Sequence, residues 1–526
     1  MSTATAAPVL ERSEPGASLS EVARTRSSRI LTWWPVVTLG AGLALWIVSL
    51  NRLDPNAIGK YGLISAMPIT YFVALGIVTI GVVGALQRGG RLGVVIAHAA
   101  LFVLIVHATP AIVYGTLRYA WAYKHVGIVE LLQRTHRLAP QTPVLPIYQS
   151  WPGFFAAATA LTEASRLKSA LSFASWAPAV FELLNIGALV FVFRALTDDK
   201  RRIGLAVWLF LIANWVGQDY FAPQALAFFL YMVAIGIVLR WFRRPEELRP
   251  WRRAKSAISD LDSVDHASVV RGPERRAAAL LLLVLMLAIV SSHPLTPVVL
   301  STALVGLLCL RVLTVRWPAL VMVAMTAVWL VTGARGYVVN QGSTIAGQFG
   351  KLGSNVDSNL SDVGKLSQAQ QLVANMGRGV VVALAVLAVV GFLRRVAAGH
   401  WDLEVTWLCA APGAIFVGGS YGGEAVFRVF LFALPFASFL AAGAFFGSRA
   451  TKARAGKALM VTVLSCVLIA GFGFGYFGKE EWFRFTPSEV HAAETVFSTA
   501  PPNSLLIEGT QTFPTEFAHQ ENFTYV

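Results

Sequence analysis

The sequence predicts an all-α polytopic membrane protein, and three observations carry that expectation. Of 526 residues, 56% are hydrophobic and only 13% charged, and the mean hydropathy of +0.62 exceeds what a water-soluble chain needs to bury one core. Apolar runs such as LTWWPVVTLGAGLALWIVSL recur along the chain, and about 20 residues at roughly 1.5 Å each cross a hydrocarbon core of about 30 Å. The basic residues behind the formal net charge of +15 sit in short turns between these runs and not on one aromatic-studded surface. That distribution fits membrane topology and argues against nucleic acid as a partner.

Residues 1–30 are rich in Ser, Ala, Glu and Arg without an apolar centre and read as a disordered cytoplasmic tail. Spans are expected at 31–50, 65–86, 92–112, 173–196, 203–218, 224–242, 277–292, 298–311, 317–334, 376–393, 403–418, 429–447 and 457–477, thirteen in all. With the N-terminus inside, the turns 87–91, 197–202, 243–276, 311–316, 394–395 and 448–457 are cytoplasmic, and each is basic. The count requires GFFAAATALTEAS (153–165) to lie at the interface, too short to cross. Three segments then face out. The loop 113–172 carries an amphipathic helix, and 335–375 is a Gly-, Ser- and Asn-rich stretch that reads as a linker or a lid. The acidic segment 478–526 reads as the helix, Pro-Pro turn and strand of a small extracytoplasmic αβ appendage. Cys309, Cys409 and Cys466 fall in apolar runs and read as small buried hydrophobes.

Ionisable groups near helix ends are costly unless they pair or line a cavity. Asp54 in NRLDPNAIG, Asp219 with Tyr220 and Gln224 in GQDYFAPQA, His293 in SSHPLTP, and Glu424 with Arg428 in GGEAVFR all flank outer ends of expected spans. They can converge with the loop 118–155 on one cavity. In that loop Leu117, Trp121, His125, Ile128 and Leu132 repeat at helical spacing, so His125 lies on the apolar stripe while Arg118, Glu130, Arg134 and Arg137 lie elsewhere. His125 is either a hydrogen-bonded core imidazole or a substrate ligand, and Lys124 beside it suits a phosphate. IYQSWPGFF sets Tyr148 and Trp151 at the interface. Asp219 serves as a base or metal ligand, or else caps the next helix or pairs with a basic group. Glu424 and Arg428, at i and i+4, form an intrahelical pair, or Arg428 grips a lipid-linked phosphate.

The loop helix KHVGIVELLQRTHRL, the start YQSWPGFF of a short apolar helix, and the later turn NWVGQDYFAPQALAFFLYM make up a familiar layout. Over most of the chain it resembles the GT-C class of polytopic glycosyltransferases, in its bacterial cell-envelope form. The resemblance implies a polyprenyl-phosphate-linked sugar donor, an envelope glycan, glycolipid or protein acceptor, and transfer at the outer side of the plasma membrane. Members usually bear an acidic residue early in the large outer loop, where this chain reads YAWAYKH. The implied base is therefore Asp219, Asp54 or Glu130, with Arg118, Lys124 and Arg428 as phosphate partners and His125 with Tyr148 shaping the sugar site. The class admits a divalent metal, which these residues do not demand. A lipid-linked oligosaccharide flippase and a polysaccharide polymerase or ligase are the rival readings. Charged residues inside the spans are few, chiefly Glu182, which weighs against transport.

Overall fold

The structure, a computed structural model, describes residues 19–138, 146–244, 272–357, 363–419, 423–446, 455–509 and 513–525. Most of the expected tail 1–30, of the loop 243–276 and of the turn 448–457 lies outside these residues; residues 19–30 extend the first helix.

The helices are α1 (Leu19–Leu50), α2 (Ile69–Gln87), α3 (Leu92–Val103), α4 (Thr109–Val113), α5 (Ala120–Thr135), α6 (Pro146–Ser150), α7 (Gly153–Ala164), α8 (Leu171–Ala174), α9 (Ala177–Leu196), α10 (Lys200–Ala213) and α11 (Pro223–Trp241). There follow α12 (Pro273–Ser292), α13 (Thr296–Cys309), α14 (Trp317–Val331), α15 (Arg335–Gln348), α16 (Leu352–Asp357), α17 (Gln368–Ala397), α18 (Leu403–Ala410), α19 (Ile415–Gly418), α20 (Ala425–Ala442), α21 (Ala455–Phe477), α22 (Glu480–Phe483) and α23 (Pro487–Thr499). Among the described residues nine helices are long and apolar enough to cross a membrane, or ten if α14 and the start of α15, bent by 88°, count as one span. Four of the thirteen expected crossings fall on shorter helices: α10, α13, α14 and the stretch Leu403–Gly418.

The loops sort themselves to two ends. At one end Arg202 and Arg395 both bind Asp402, Arg243 meets Glu404, and Arg201 reaches the carbonyl of Gln87. These are the turns expected to be cytoplasmic. At the other end Arg484 meets Asn56, Lys479 lies over Phe427, and Trp215 packs edge-on to Phe427. The short helix α10 runs between these same ends: it starts beside Asp402, and Trp215, just past its end, packs on Phe427.

At 153–165 the chain forms only α7, twelve residues long and packed on α5 and α12. The stretch 335–375 differs from a linker. It holds α15, α16 and the first two turns of α17, which begins at 368 because Ser367 and Gln370 form a capping box that satisfies its first backbone donors.

The appendage is not an isolated piece. A Thr486–Glu489 capping box starts α23, and β1 (Ser504–Leu506) pairs in parallel with β2 (Phe523–Tyr525), Ser504 opposite Phe523. Phe485, Phe497, Phe517 and Phe523 then pack with Tyr123, Val129 and Phe155 in a second apolar cluster. Residues 478–526 and the loop 113–172 thus share one core, which neither is large enough to build alone.

Candidate functional site

The site begins with a turn. After α10 ends at Asn214, Gly217 takes φ +65°, where a Cβ would stand 2.6 Å from the Tyr119 hydroxyl, and Pro223 opens α11. This tight path turns Asp219 inward, leaving it 6% exposed. Its Oδ2 lies 2.7 Å from His107 Nδ1 and accepts a 3.0 Å hydrogen bond from the Tyr476 hydroxyl. Tyr476 Oη is also 3.0 Å from His107 Nδ1, so the three groups touch mutually. His107 sits in a π turn, Leu104–Ala108, that the chain inserts just before Pro110; such turns re-aim one side chain of an otherwise regular helix. Burial pushes the Asp219 carboxyl up, but the hydrogen bond and charge of His107, with Arg118 and Tyr476, outweigh it and hold the group below its ordinary value. It is therefore a carboxylate. A carboxylate only accepts, so Nδ1 carries the hydrogen; in the tautomer protonated there alone, Nε2 holds a lone pair.

Beside this network a cleft with about 320 Å³ of free space, open mouth included, is lined by His107, Arg118, Ala174, Pro178, Tyr220 and Phe221, among others. Arg118 is buried, paired with Glu480, donates to the Tyr476 carbonyl at 3.0 Å, and lies 4.4 Å over the Tyr476 ring. Its Nε and Nη1 have no hydrogen-bond partner among the described residues. The entry to α5 holds it there: Tyr119 N donates to Phe483 O at 2.9 Å, fastening the loop to the exit of the last span. Against the same floor Tyr119, itself raised above its ordinary value by burial, contacts Tyr220 at 5.2 Å.

Among the residues singled out from the sequence, the structure brings Asp219, Arg118 and Tyr220 together. His125 joins them from behind, its Nδ1 donating to Phe221 O at 2.7 Å and its ring stacking parallel to Tyr220 at 5.8 Å, with Tyr148 edge-on at 4.9 Å. Burial lowers the His125 imidazole to about 4, so it is a neutral core group. The expected single stripe on α5 is replaced by burial around most of the helix: Trp121 is 44% exposed while Ala122, Tyr123 and Val126 are buried. Trp151 is buried edge-on to Tyr337, and the Gln224 amide is buried with no partner among the described residues.

The others are spent elsewhere. Asp54 accepts from Asn56 N at 2.8 Å and caps an exposed turn. Glu130 pairs with Arg134 within α5 and accepts from His519 N, and Lys124 pairs with Glu516 at 2.9 Å; the last two contacts fasten the appendage. Glu424 and Arg428 form the i, i+4 pair at 2.6 Å. His293 bonds Thr296 at 2.9 Å at the start of α13, and burial together with the Arg428 charge pushes it down to about 3.

Sequence reasoning missed His107, Tyr476 and Glu480. An imidazole inside the run LFVLIVHATP was the available signal, since ionisable groups at membrane depth are default functional candidates. No group of three His, Cys, Asp or Glu gathers at metal-binding distance among the described residues.

No protein-family model and no curated protein sequence matches the chain. Among solved structures it is similar to the archaeal oligosaccharyltransferase AglB from Archaeoglobus fulgidus in complex with an inhibitory peptide and a dolichol-phosphate, at 13% identity and TM-score 0.46, over 78% of this chain and 58% of that one. It is also similar to the Archaeoglobus fulgidus oligosaccharyltransferase tethered to an acceptor peptide, at 12% identity and TM-score 0.48, over 78% of this chain and 57% of that one. The chain spans less than two thirds of the length of either.

Proposed function

We propose that this chain is a multi-pass plasma-membrane glycosyltransferase. It takes a sugar from a polyprenyl-phosphate donor and transfers it to an envelope glycan, glycolipid or protein on the extracytoplasmic side, with the N-terminus cytoplasmic and the appendage outside. The observation that carries the reading is the buried Asp219–His107–Tyr476 network, which reaches a cleft through His107 beside Arg118.

In this reading the chemistry runs through that network. The acceptor hydroxyl oxygen bonds to the anomeric carbon as the bond from that carbon to the phosphate oxygen breaks, and the bonding pair leaves with the phosphate. The hydroxyl proton passes to His107 Nε2, and Asp219 stabilises the imidazolium that results, as a buried carboxylate behind a histidine does. Tyr476 fixes the carboxylate rotamer. Arg118, with two donors free of hydrogen bonds, offsets the charge that develops on the departing polyprenyl phosphate. In this reading the carboxylate orients the base, and Asp54 and Glu130 have no part in the reaction.

Purified protein in nanodiscs, incubated with a panel of polyprenyl-phosphate sugars labelled in the sugar, tests the reading. The expected result is labelled acceptor together with free polyprenyl phosphate. Intact donor carried from one leaflet to the other, with no bond broken, would replace the transferase with a flippase.

A further inference from the structure

Below the cleft, within the span α9, Glu182 is 1% exposed. Its Oε1 accepts from two amides, Asn214 Nδ2 at 2.9 Å and Asn185 Nδ2 at 3.3 Å. Its Oε2 is buried without a hydrogen-bond partner among the described residues, and so are Asn185 Oδ1 and Asn214 Oδ1. All three side chains are at most 5% exposed. Three acceptor oxygens, one of the carboxylate and one of each amide bonded to it, therefore lie inside the protein without a hydrogen-bond partner among the described residues, where each orphaned acceptor costs on the order of 1–3 kcal/mol.

The nearby charges do not resolve this. Arg118 is paired with Glu480, the charge that acts on Glu182 is that of Asp219 and has the same sign, and no Lys, Arg or His among the described residues forms an ion pair with Glu182. Asn214 also caps the C-terminal end of α10, where the last carbonyls and the negative end of the helix dipole add further partial negative charge. A proton on Glu182 would supply one donor to this group. A cation, unlike a single proton, can take several oxygen ligands at once.

We propose that Glu182, Asn185 and Asn214 bind a monovalent cation, Na⁺ or K⁺. The ligands are hard oxygens, which select hard cations over transition metals. The set carries the formal charge of one carboxylate and two neutral amides, which matches a single positive charge. The cation bridges α9 to the end of α10 and sets the start of the turn that carries Asp219.

The test uses the full chain in zwitterionic nanodiscs, prepared in N-methyl-glucamine chloride at fixed ionic strength and neutral pH, with Tm followed on adding NaCl, KCl, MgCl2 or CaCl2. Binding of radioactive sodium is measured on the same sample. The expected result is a saturable rise in Tm with Na⁺ or K⁺, and sodium binding that saturates and is displaced by unlabelled salt. Glu182→Gln keeps the side-chain shape and is expected to lose both responses, with a Tm in cation-free buffer no lower than the wild type's, because the uncompensated charge is gone. Three results would overturn the site: no saturable monovalent response in the wild type, an equal response in Glu182→Gln, or saturation by Mg²⁺ or Ca²⁺ instead. Should Glu182→Gln not fold, sodium binding to the wild type still decides between the first outcome and the proposal. None of these readouts uses sugar transfer, so the cation site and the proposed function stand or fall separately.

Discussion

Asp219 and His107 show how a residue acquires a role from its partner. From the sequence, Asp219 could be a base, a metal ligand, a cap or half of a pair; the structure makes it the buried partner of an imidazole 2.7 Å away. Asp219→Asn keeps the volume and removes the charge that stabilises an imidazolium, so labelled-sugar transfer is expected to fall by roughly 10²–10⁴-fold, the range of general acid–base catalysis. Tyr476→Phe removes one hydrogen bond to the carboxylate and is expected to cost less than Asp219→Asn in the same assay. His125 gives a prediction about stability with a definite sign. Its imidazole is lowered to about 4 from an ordinary value near 6.5, so between those values the unfolded chain holds a proton that the folded chain lacks. Stability is thus full above about 6.5 and falls as pH drops toward 4, by roughly 3 kcal/mol at most. Thermal melts of the wild type against His125→Gln across that range should show the wild type losing more. Asp219, Arg118 and Tyr220 were legible in the sequence because they stand beside apolar runs. His107 and Tyr476 were not, because 369 residues separate them and no local pattern pairs them.

At the scale of the element, α5 and the appendage behave as one unit. Gly127 faces the appendage so closely that a Cβ would lie 1.8 Å from the Glu516 carbonyl oxygen. Gly127→Ala must push residues 516–517 away, unseating Phe517 from Tyr123 and straining the Lys124–Glu516 pair. Limited proteolysis in nanodiscs should then cut the variant within residues 500–526 several-fold faster than the wild type, and equal rates would mean that the two elements are not docked. The sequence showed the helix of the appendage, through its Ser and Pro start, and the Pro-Pro turn before β1, while the Thr486–Glu489 box that caps it came from the structure. It did not show what the appendage covers, since the contact joins segments almost 400 positions apart. The helices within 335–375 were hidden by a local conflict, where Gly, Ser and Asn argue for a loop and the Ser367–Gln370 box argues for a helix start.

Over the whole molecule, alternation of apolar runs with basic turns was the strongest signal in the sequence. Among the described residues the basic turns 87–91, 197–202 and 394–395 meet at one end, around Asp402, and Arg484 meets Asn56 at the other. Asp402 is held down to about 2, because the Arg202 and Arg395 charges outweigh the effect of burial. Substituted-cysteine labelling in a background lacking Cys309, Cys409 and Cys466 tests which end faces out. Asp54→Cys and Arg137→Cys are expected to react with an impermeant maleimide in intact cells, and Lys200→Cys and Arg311→Cys only after permeabilisation. The number of crossings was less legible than their alternation, because helices of 14 residues such as α10 and α13 are apolar yet short of the membrane's thickness.

The central claim is that the pair Asp219 and His107 performs the transfer chemistry. Its most direct test is labelled-sugar transfer measured side by side for the wild type, Asp219→Asn, His107→Gln, Asp54→Asn and Glu130→Gln, each checked for an unchanged melting profile. The account predicts transfer lost in the first two variants and kept in the last two. Loss in Asp54→Asn or Glu130→Gln, with full transfer in Asp219→Asn, would contradict it.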